Sequence, residues 1–253
     1  MDTFLKKIIE EKKKEITLID SSRFKPKVTA SNFIKSLQGP GLKLIAEVKK
    51  ASPSKGIIRN DFDPVSIAQS FEAHSAAAIS VLTDKKFFQG DISYIEAIEK
   101  EISLPILRKD FIISEKQIRE AAHVQADAIL LIKACLSTDE LQTLLKKANE
   151  SNLDVLIEIH SEEELNEIAS IKGQFCIGIN NRDLRTFETN IHLSQQLISK
   201  IKDYFGKEIC VVAESGYSQS SELDKLNELG FNAVLIGEGL AKNPSLIKWF
   251  NQK

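Results

Sequence analysis

The sequence predicts an α/β fold: a (β/α)8 TIM barrel with an N-terminal helical extension. Three observations carry this. Eight short runs are rich in Ile, Val, Leu and Ala; segments with helical start and stop signals lie between them; and the runs recur roughly every 22 to 35 residues, about the length of one βα unit. Near-continuous apolar character marks strands covered on both faces, as in a parallel sheet. Eight such units in 253 residues imply one closed barrel, and residues 1–253 are expected to form a single domain.

The runs are LKLIAEVK (42–49), AAAISVLTD (76–84), LPILRKDF (104–111), ADAILLIKA (126–134), LDVLIEIH (153–160), QFCIGINNRD (174–183), KEICVVAES (207–215) and FNAVLIGEG (231–239). Asp63-Pro64 pairs a capping residue with a proline at the first helical position. Ser137 with Glu140, and Ser161 with Glu164, fit the reciprocal capping box. Gly230 fits a helix stop after SSELDKLNEL. An open doubly wound sheet is the alternative, but its usual glycine-rich turn after the first strand is replaced by KKASPSKG. Residues 1–41 precede the first strand, with an amphipathic helix expected from about Asp2 to Ile16 and a second around SNFIKSL. A barrel does not need them, so they are expected to cover one end or to overhang the active site.

Composition narrows the class. The chain has 34 Lys+Arg against 36 Asp+Glu, a formal charge of −2, which gives no electrostatic reason for a nucleic-acid partner. No apolar stretch reaches the ~18 residues of a membrane span, and MDTFLKKIIEEKKKEI has no apolar signal core. Cys135, Cys176 and Cys210 are odd in number and scattered, which suggests buried thiols in a reducing compartment. A cytoplasmic protein, monomeric and without membrane association, is expected. The chain ends in NPSLIKWFNQK, shortly after the last expected helix, so it is expected to stand alone and not to be fused to another enzyme.

In such barrels the chemistry sits at the C-terminal ends of the strands. Those ends carry Glu47 and Lys49; Lys109 and Asp110; Glu158 and His160; Asn180, Arg182 and Asp183; and Glu214 and Ser215. Charges inside a sheet are unfavourable unless paired, so both signs gathered at one rim point to a site. Ser215-Gly216 and Gly237-Glu238-Gly239 follow the last two strands, where barrels bind phosphate through glycine N–H groups. His74, His123 and His192 fall in helices or connections, and His160 alone with acids makes no metal set, so no metal is expected. Two lysines and several glutamates beside a phosphate site suit general acid–base work on a phosphorylated, sugar-like small molecule. Residue types and spacing alone name no reaction.

The motifs IAEVKKASPSKG (45–56), PILRKDFI (105–112), LIEIH (156–160), GINNRDL (178–184), VAESG (212–216) and LIGEGL (235–240) resemble, in order, the strand-end motifs of the indole-3-glycerol phosphate synthase family. The N-terminal extension resembles that family's extra helices. The resemblance implies ring closure of 1-(2-carboxyphenylamino)-1-deoxyribulose 5-phosphate, with loss of carbon dioxide and water, in tryptophan biosynthesis. It implies no cofactor. By position, Lys109 is similar to the family's general acid, Lys49 to the lysine at the anthranilate carboxylate, Glu158 to the glutamate that assists loss of water, and Glu47 to a glutamate beside Lys49. Asn180, Glu214 and Ser215 would meet substrate polar groups and Arg182 the carboxylate. Ser52, Gly216, Gly237 and the backbone of Glu238 would hold phosphate, and Phe88, Phe111, Leu130 and Leu184 would wall the aromatic ring. One departure stands out: many family members have serine and methionine where this chain has Gly239 and Ala241, so weaker phosphate affinity, at most, is expected. Phosphoribosylanthranilate isomerase chemistry is the neighbouring alternative, but strand one lacks the cysteine it needs. A catalytically silent barrel that binds a phosphorylated ligand is the other, and Lys109, Lys49 and Glu158 are all present against it.

Overall fold

The computed structural model describes residues 3–53, 55–183 and 186–251. Eight parallel strands close into a barrel: β1 Lys43–Val48, β2 Ala78–Leu82, β3 Ile106–Lys109, β4 Ala128–Ile132, β5 Asp154–Ile159, β6 Cys176–Asn180, β7 Val211–Glu214 and β8 Ala233–Ile236. Closure is explicit, because Lys43–Ala46 pairs in register with Ala233–Ile236. That excludes the open sheet. Every residue of β2, β4, β5, β6, β7 and β8 is buried, which is why these strands read as almost unbroken apolar runs.

The connecting helices begin where the chain places acceptor side chains. Asp63 accepts from the N–H groups of Val65 and Ser66, with Pro64 at the first helical position. Ser137 and Glu140 form the full reciprocal box. Ser161 and Glu164 form only half of one: the serine accepts from the Glu164 N–H, but the glutamate turns back one residue further, to the His160 N–H at 2.7 Å. Gly230 ends the helix Ser220–Leu229 at φ +77°, a left-handed position that favours glycine.

The extension covers both ends of the barrel, more than the sequence predicts. Helix α1, Thr3–Leu18, buries Leu5, Ile8 and Ile9 along one stripe and lays Phe4, Leu5 and Ile8 over the C-terminal mouth. The short helix Phe33–Ser36 sits at the opposite end, with Phe33 and Leu37 fully buried. It is tied down by Asp154, the first residue of β5, which accepts from Ser31 Oγ at 2.7 Å and from the Ile34 N–H at 2.9 Å. After β1 the chain forms a small hairpin, Ala51–Ser52 against Gly56–Ile57, from which Pro53 and Lys55 reach the mouth. All three cysteines are buried and free. Among the described residues no helix is long and apolar enough to cross a membrane.

Candidate active site

The barrel interior is filled by layers of four side chains taken from alternate strands. Here the layer nearest the mouth is ionic. Glu47 of β1, Lys109 of β3, Glu158 of β5 and Glu214 of β7 supply one side chain from each odd-numbered strand. Lys109 Nζ lies 3.1 Å from Glu158 Oε2 and 3.5 Å from Glu214 Oε2. Lys49, two residues beyond Glu47 on the same face, donates to both of its carboxylate oxygens at 2.8 and 3.1 Å.

Two glycines make room for this layer. A Cβ on Gly178 would stand 2.1 Å from Glu214 Oε1, and one on Gly237 would stand 2.9 Å from the Glu47 carboxylate. Gly178 therefore lets Glu214 fold into the barrel, and Gly237 does the same for Glu47, apart from any part it takes in phosphate binding.

The fields in the layer are strongly asymmetric. Burial opposes charge on Lys109, but Glu158, Glu214 and Glu47 outweigh it and hold the ammonium above its ordinary range. Burial would likewise raise Glu158, yet Lys109 and His160 keep it well below the usual carboxylate range. Burial, only partly offset by Lys109 and reinforced by Glu158, pushes Glu214 up to about 8. Like charges sharing a dry site separate their titrations in this way. His160 stands behind Glu158, with Nε2 3.1 Å from Glu158 Oε1 and Nδ1 3.5 Å from Glu164 Oε2, close ion-pair contacts without hydrogen-bond alignment. Burial would lower His160, but these two carboxylates raise it to about 10.

Above the ionic layer opens a cavity of about 430 Å³, within the range typical of small-molecule sites. Phe88, Phe111 and Leu130 line it, with the two phenyl centroids 6.3 Å apart. Leu184 lies outside the described residues. Asn180, Arg182, Glu214, Ser215, Gly216, Gly237 and Glu238 all border the same space. Ser52 does not: it is buried in the hairpin, and among the described residues its Oγ has no hydrogen-bond partner and it does not line the cavity.

At the mouth, Glu238 gathers three cations. Lys55 at the tip of the hairpin pairs with Oε1, Lys242 lies 2.7 Å from the same oxygen, and Arg182 approaches Oε2 at 3.4 Å. Burial would raise the Glu238 carboxyl, but Lys242 and Lys55 hold it down at about 2. The chain thus brings positive charge to the predicted phosphate side through Lys55 and Lys242, neither of which strand-end reasoning selects. Asn181 fixes the adjoining loop, donating at 3.0 Å to the carbonyls of Glu214 and Ser215 and to Tyr217 Oη. The Tyr217 carbonyl sits 2.2 Å from where a Cβ on Gly239 would be. Gly239 is a packing requirement here, not merely a lost hydroxyl.

Asp110, grouped by sequence with Lys109, turns away from the ionic layer to Lys12, Arg108 and Thr83. Of the other histidines, His74 and His192 are exposed, and His123 stacks on Phe24. Among the described residues no three His, Cys, Asp or Glu side chains come together as a metal-ligand set.

Comparisons with known proteins agree with this geometry. The family profile described as indole-3-glycerol phosphate synthase matches residues 4–251. A protein of that name from Chlorobium phaeovibrioides is 43% identical over 260 residues, covering 98% of this chain and 99% of the relative. One from Chloroherpeton thalassium is 42% identical over 264 residues, covering 99% of this chain and all of the relative. A Prochlorococcus marinus protein of the same name reaches 50% over 208 residues, 82% of this chain and 70% of its own. The match runs through all eight strand ends and the extension, and the chain belongs to the indole-3-glycerol phosphate synthase family.

Proposed function

We propose that the cavity closes the pyrrole ring of indole on 1-(2-carboxyphenylamino)-1-deoxyribulose 5-phosphate, giving indole-3-glycerol phosphate, carbon dioxide and water. Family membership makes the chain a carboxy-lyase of tryptophan biosynthesis; the roles of individual residues are our reading. The observation that carries it is the Lys109 ammonium, 3.1 Å from Glu158 and 3.5 Å from Glu214, beneath an aromatic-walled cavity.

Phe88, Phe111 and Leu130 would hold the anthranilate ring in a near-attack position. Lys109, fully protonated in the neutral range, would hand its proton to the ketone oxygen as the ring carbon attacks and that oxygen gains basicity. Lys49 and Arg182 would hold the carboxylate until it leaves as carbon dioxide, which restores aromaticity. Glu158, kept ionised by Lys109 and His160, would take the proton that must depart for water to be lost. Glu214, protonated below about 8, would donate to a substrate hydroxyl together with Asn180 and Ser215. Glu47 would orient Lys49. Phosphate would sit near Gly216, Gly237 and the Glu238 backbone, within reach of Lys55 and Lys242. We propose Leu184 as a further wall of the ring; Ser52, set back in the hairpin, is not assigned to the phosphate.

The reaction needs no redox partner or electron sink, so the enzyme is proposed to work without a cofactor, as a single-domain cytoplasmic monomer on a small phosphorylated substrate. The intramolecular covering of both barrel ends supports the monomer; the near-neutral charge of −2 speaks against a nucleic-acid partner. The test is stoichiometry. Purified protein given this substrate should release one carbon dioxide per indole formed, without added metal or cofactor. Substrate bound and returned unchanged would favour the silent barrel.

A further inference from the structure

Lys12 falls on the apolar stripe of α1, seven residues after Leu5 and four after Ile8, and is only 1% exposed. Its ammonium lies 2.7 Å from Asp84 Oδ2 and 2.8 Å from Asp110 Oδ1, with the partly exposed Glu15 also at 2.8 Å. Both aspartates are buried. Each follows the C-terminal end of a barrel strand, Asp84 after β2 and Asp110 directly after Lys109 on β3.

Both carboxylates also hold backbone. Asp84 Oδ1 accepts from the N–H groups of Phe87 at 2.7 Å and Phe88 at 3.2 Å, capping the short helix Lys85–Phe88. Asp110 Oδ1 accepts from the Phe111 N–H at 2.8 Å. Asp110 Oδ2 accepts from Thr83 Oγ1 at 2.6 Å and from Arg108 at 3.3 Å. Lys12 is the one ion-pair partner of Asp84 among the described residues. The lysine therefore joins the two carboxylates that fix the main chain of Phe88 and Phe111, two of the phenylalanines lining the cavity, one residue from the proposed acid.

We propose that Lys12 is a positioning residue for ring closure, holding Phe88, Phe111 and the strand end bearing Lys109 in register through Asp84 and Asp110. It touches no reacting atom. The arrangement makes the N-terminal helix a working part of the site and not only a cover. Burial opposes charge on Lys12, but Asp110 and Asp84 outweigh it and keep the ammonium protonated; Asp110 in turn is held at about 2 against its own burial by Lys12 and Arg108. The Lys12–Asp110 pair is therefore ionic across the neutral range.

The proposal rests on the ring-closure reading, and the experiment separates the two. Wild type, Lys12→Met, Lys12→Arg and Leu141→Ala are compared in steady-state kinetics and in amide exchange at Phe87, Phe88 and Phe111. Leu141 is fully buried in the outer helix Thr138–Glu150 and serves as a control for general destabilisation. Lys12→Met is expected to lose about ten- to a hundredfold in kcat/KM, through both kcat and KM, as displaced positioning groups do. Its three amides should exchange faster, while Lys12→Arg recovers to within about threefold and Leu141→Ala stays within about twofold in kcat/KM. Should Lys12→Met fail to fold, the charge-balanced Lys12→Met/Asp84→Asn carries the test, with a loss of at least about fivefold expected because Asp110 still lacks its tie. Lys12→Met turning over like wild type, Leu141→Ala losing as much, or full recovery in the balanced pair overturns the proposal while leaving the activity intact. A wild type without turnover removes the ring-closure reading and this proposal with it.

Discussion

Lys109 Nζ lies 3.1 Å from Glu158 Oε2 although their strands, β3 and β5, are not neighbours. The pair meets because side chains of alternate strands share one layer of the barrel interior. The proposed acid and base thereby stand side by side in that layer, where a substrate lying on it would touch both.

Loss of that ammonium is expected to stop the chemistry. Lys109→Ala should lower kcat by about 10² to 10⁴, the usual worth of a placed proton donor. Glu47→Gln, which keeps the shape beside Lys49, should lose much less. Equal losses in steady-state assays would show that the acid role is shared or misassigned.

Glu214 sets an alkaline limit. With its carboxyl raised to about 8, it would donate at neutral pH and become, above that value, a second anion beside Glu158 drawing on Lys109. The profile of kcat/KM should therefore fall above pH about 8. Lys109 cannot cause that limb, since its value lies above the ordinary lysine range. Glu214→Gln should flatten the limb. If it survives in the variant, another group titrates there.

His160 is expected to stabilise the fold in a pH-dependent way. Its folded value, about 10, is above the ordinary 6.5, so its ion pairs contribute fully below pH 6.5 and fade as pH rises to about 10. Urea midpoints of His160→Gln and wild type should differ by the equivalent of about 2 kcal/mol at the acidic end and converge at the alkaline end. A constant gap would mean that packing, not charge, is what His160 supplies.

Gly239→Ser tests close packing against hydroxyl chemistry. From sequence, a serine there should do no harm and could strengthen phosphate binding. The Tyr217 carbonyl, 2.2 Å from the new Cβ, requires the loop to move instead. Overpacking of this kind is destabilising by about 1 to 3 kcal/mol. The variant should melt lower and bind inorganic phosphate more weakly in calorimetry. Tighter binding with unchanged melting would contradict the packing account.

The strands were readable because burial on both faces leaves little but Ile, Val, Leu and Ala in them. Polar residues ending such runs, among them Glu47, Lys109, Glu158 and Glu214, stand out by contrast. Lys12 is hidden among neighbouring lysines, and only its place on the stripe of Leu5, Ile8 and Ile9 sets it apart. Lys55 and Lys242 look like ordinary solvated charges until the folded mouth sets them around Glu238. The second covering, at the bottom of the barrel, depends on Ile34 meeting Asp154 across 120 positions of sequence. Glu164 followed local rules only halfway, its carboxylate accepting from the His160 N–H in place of the Ser161 N–H that a full capping box uses. The close approach of Tyr217 to Gly239 likewise exists only in three dimensions.

Indole fluorescence after mixing the purified chain with 1-(2-carboxyphenylamino)-1-deoxyribulose 5-phosphate tests the central claim most directly, with Lys109→Ala alongside. A rise in the wild type that is absent from the variant is the expected result. Equal rates in both would contradict the placement of the proton donor, and no rise in either, with substrate bound, would contradict ring closure itself.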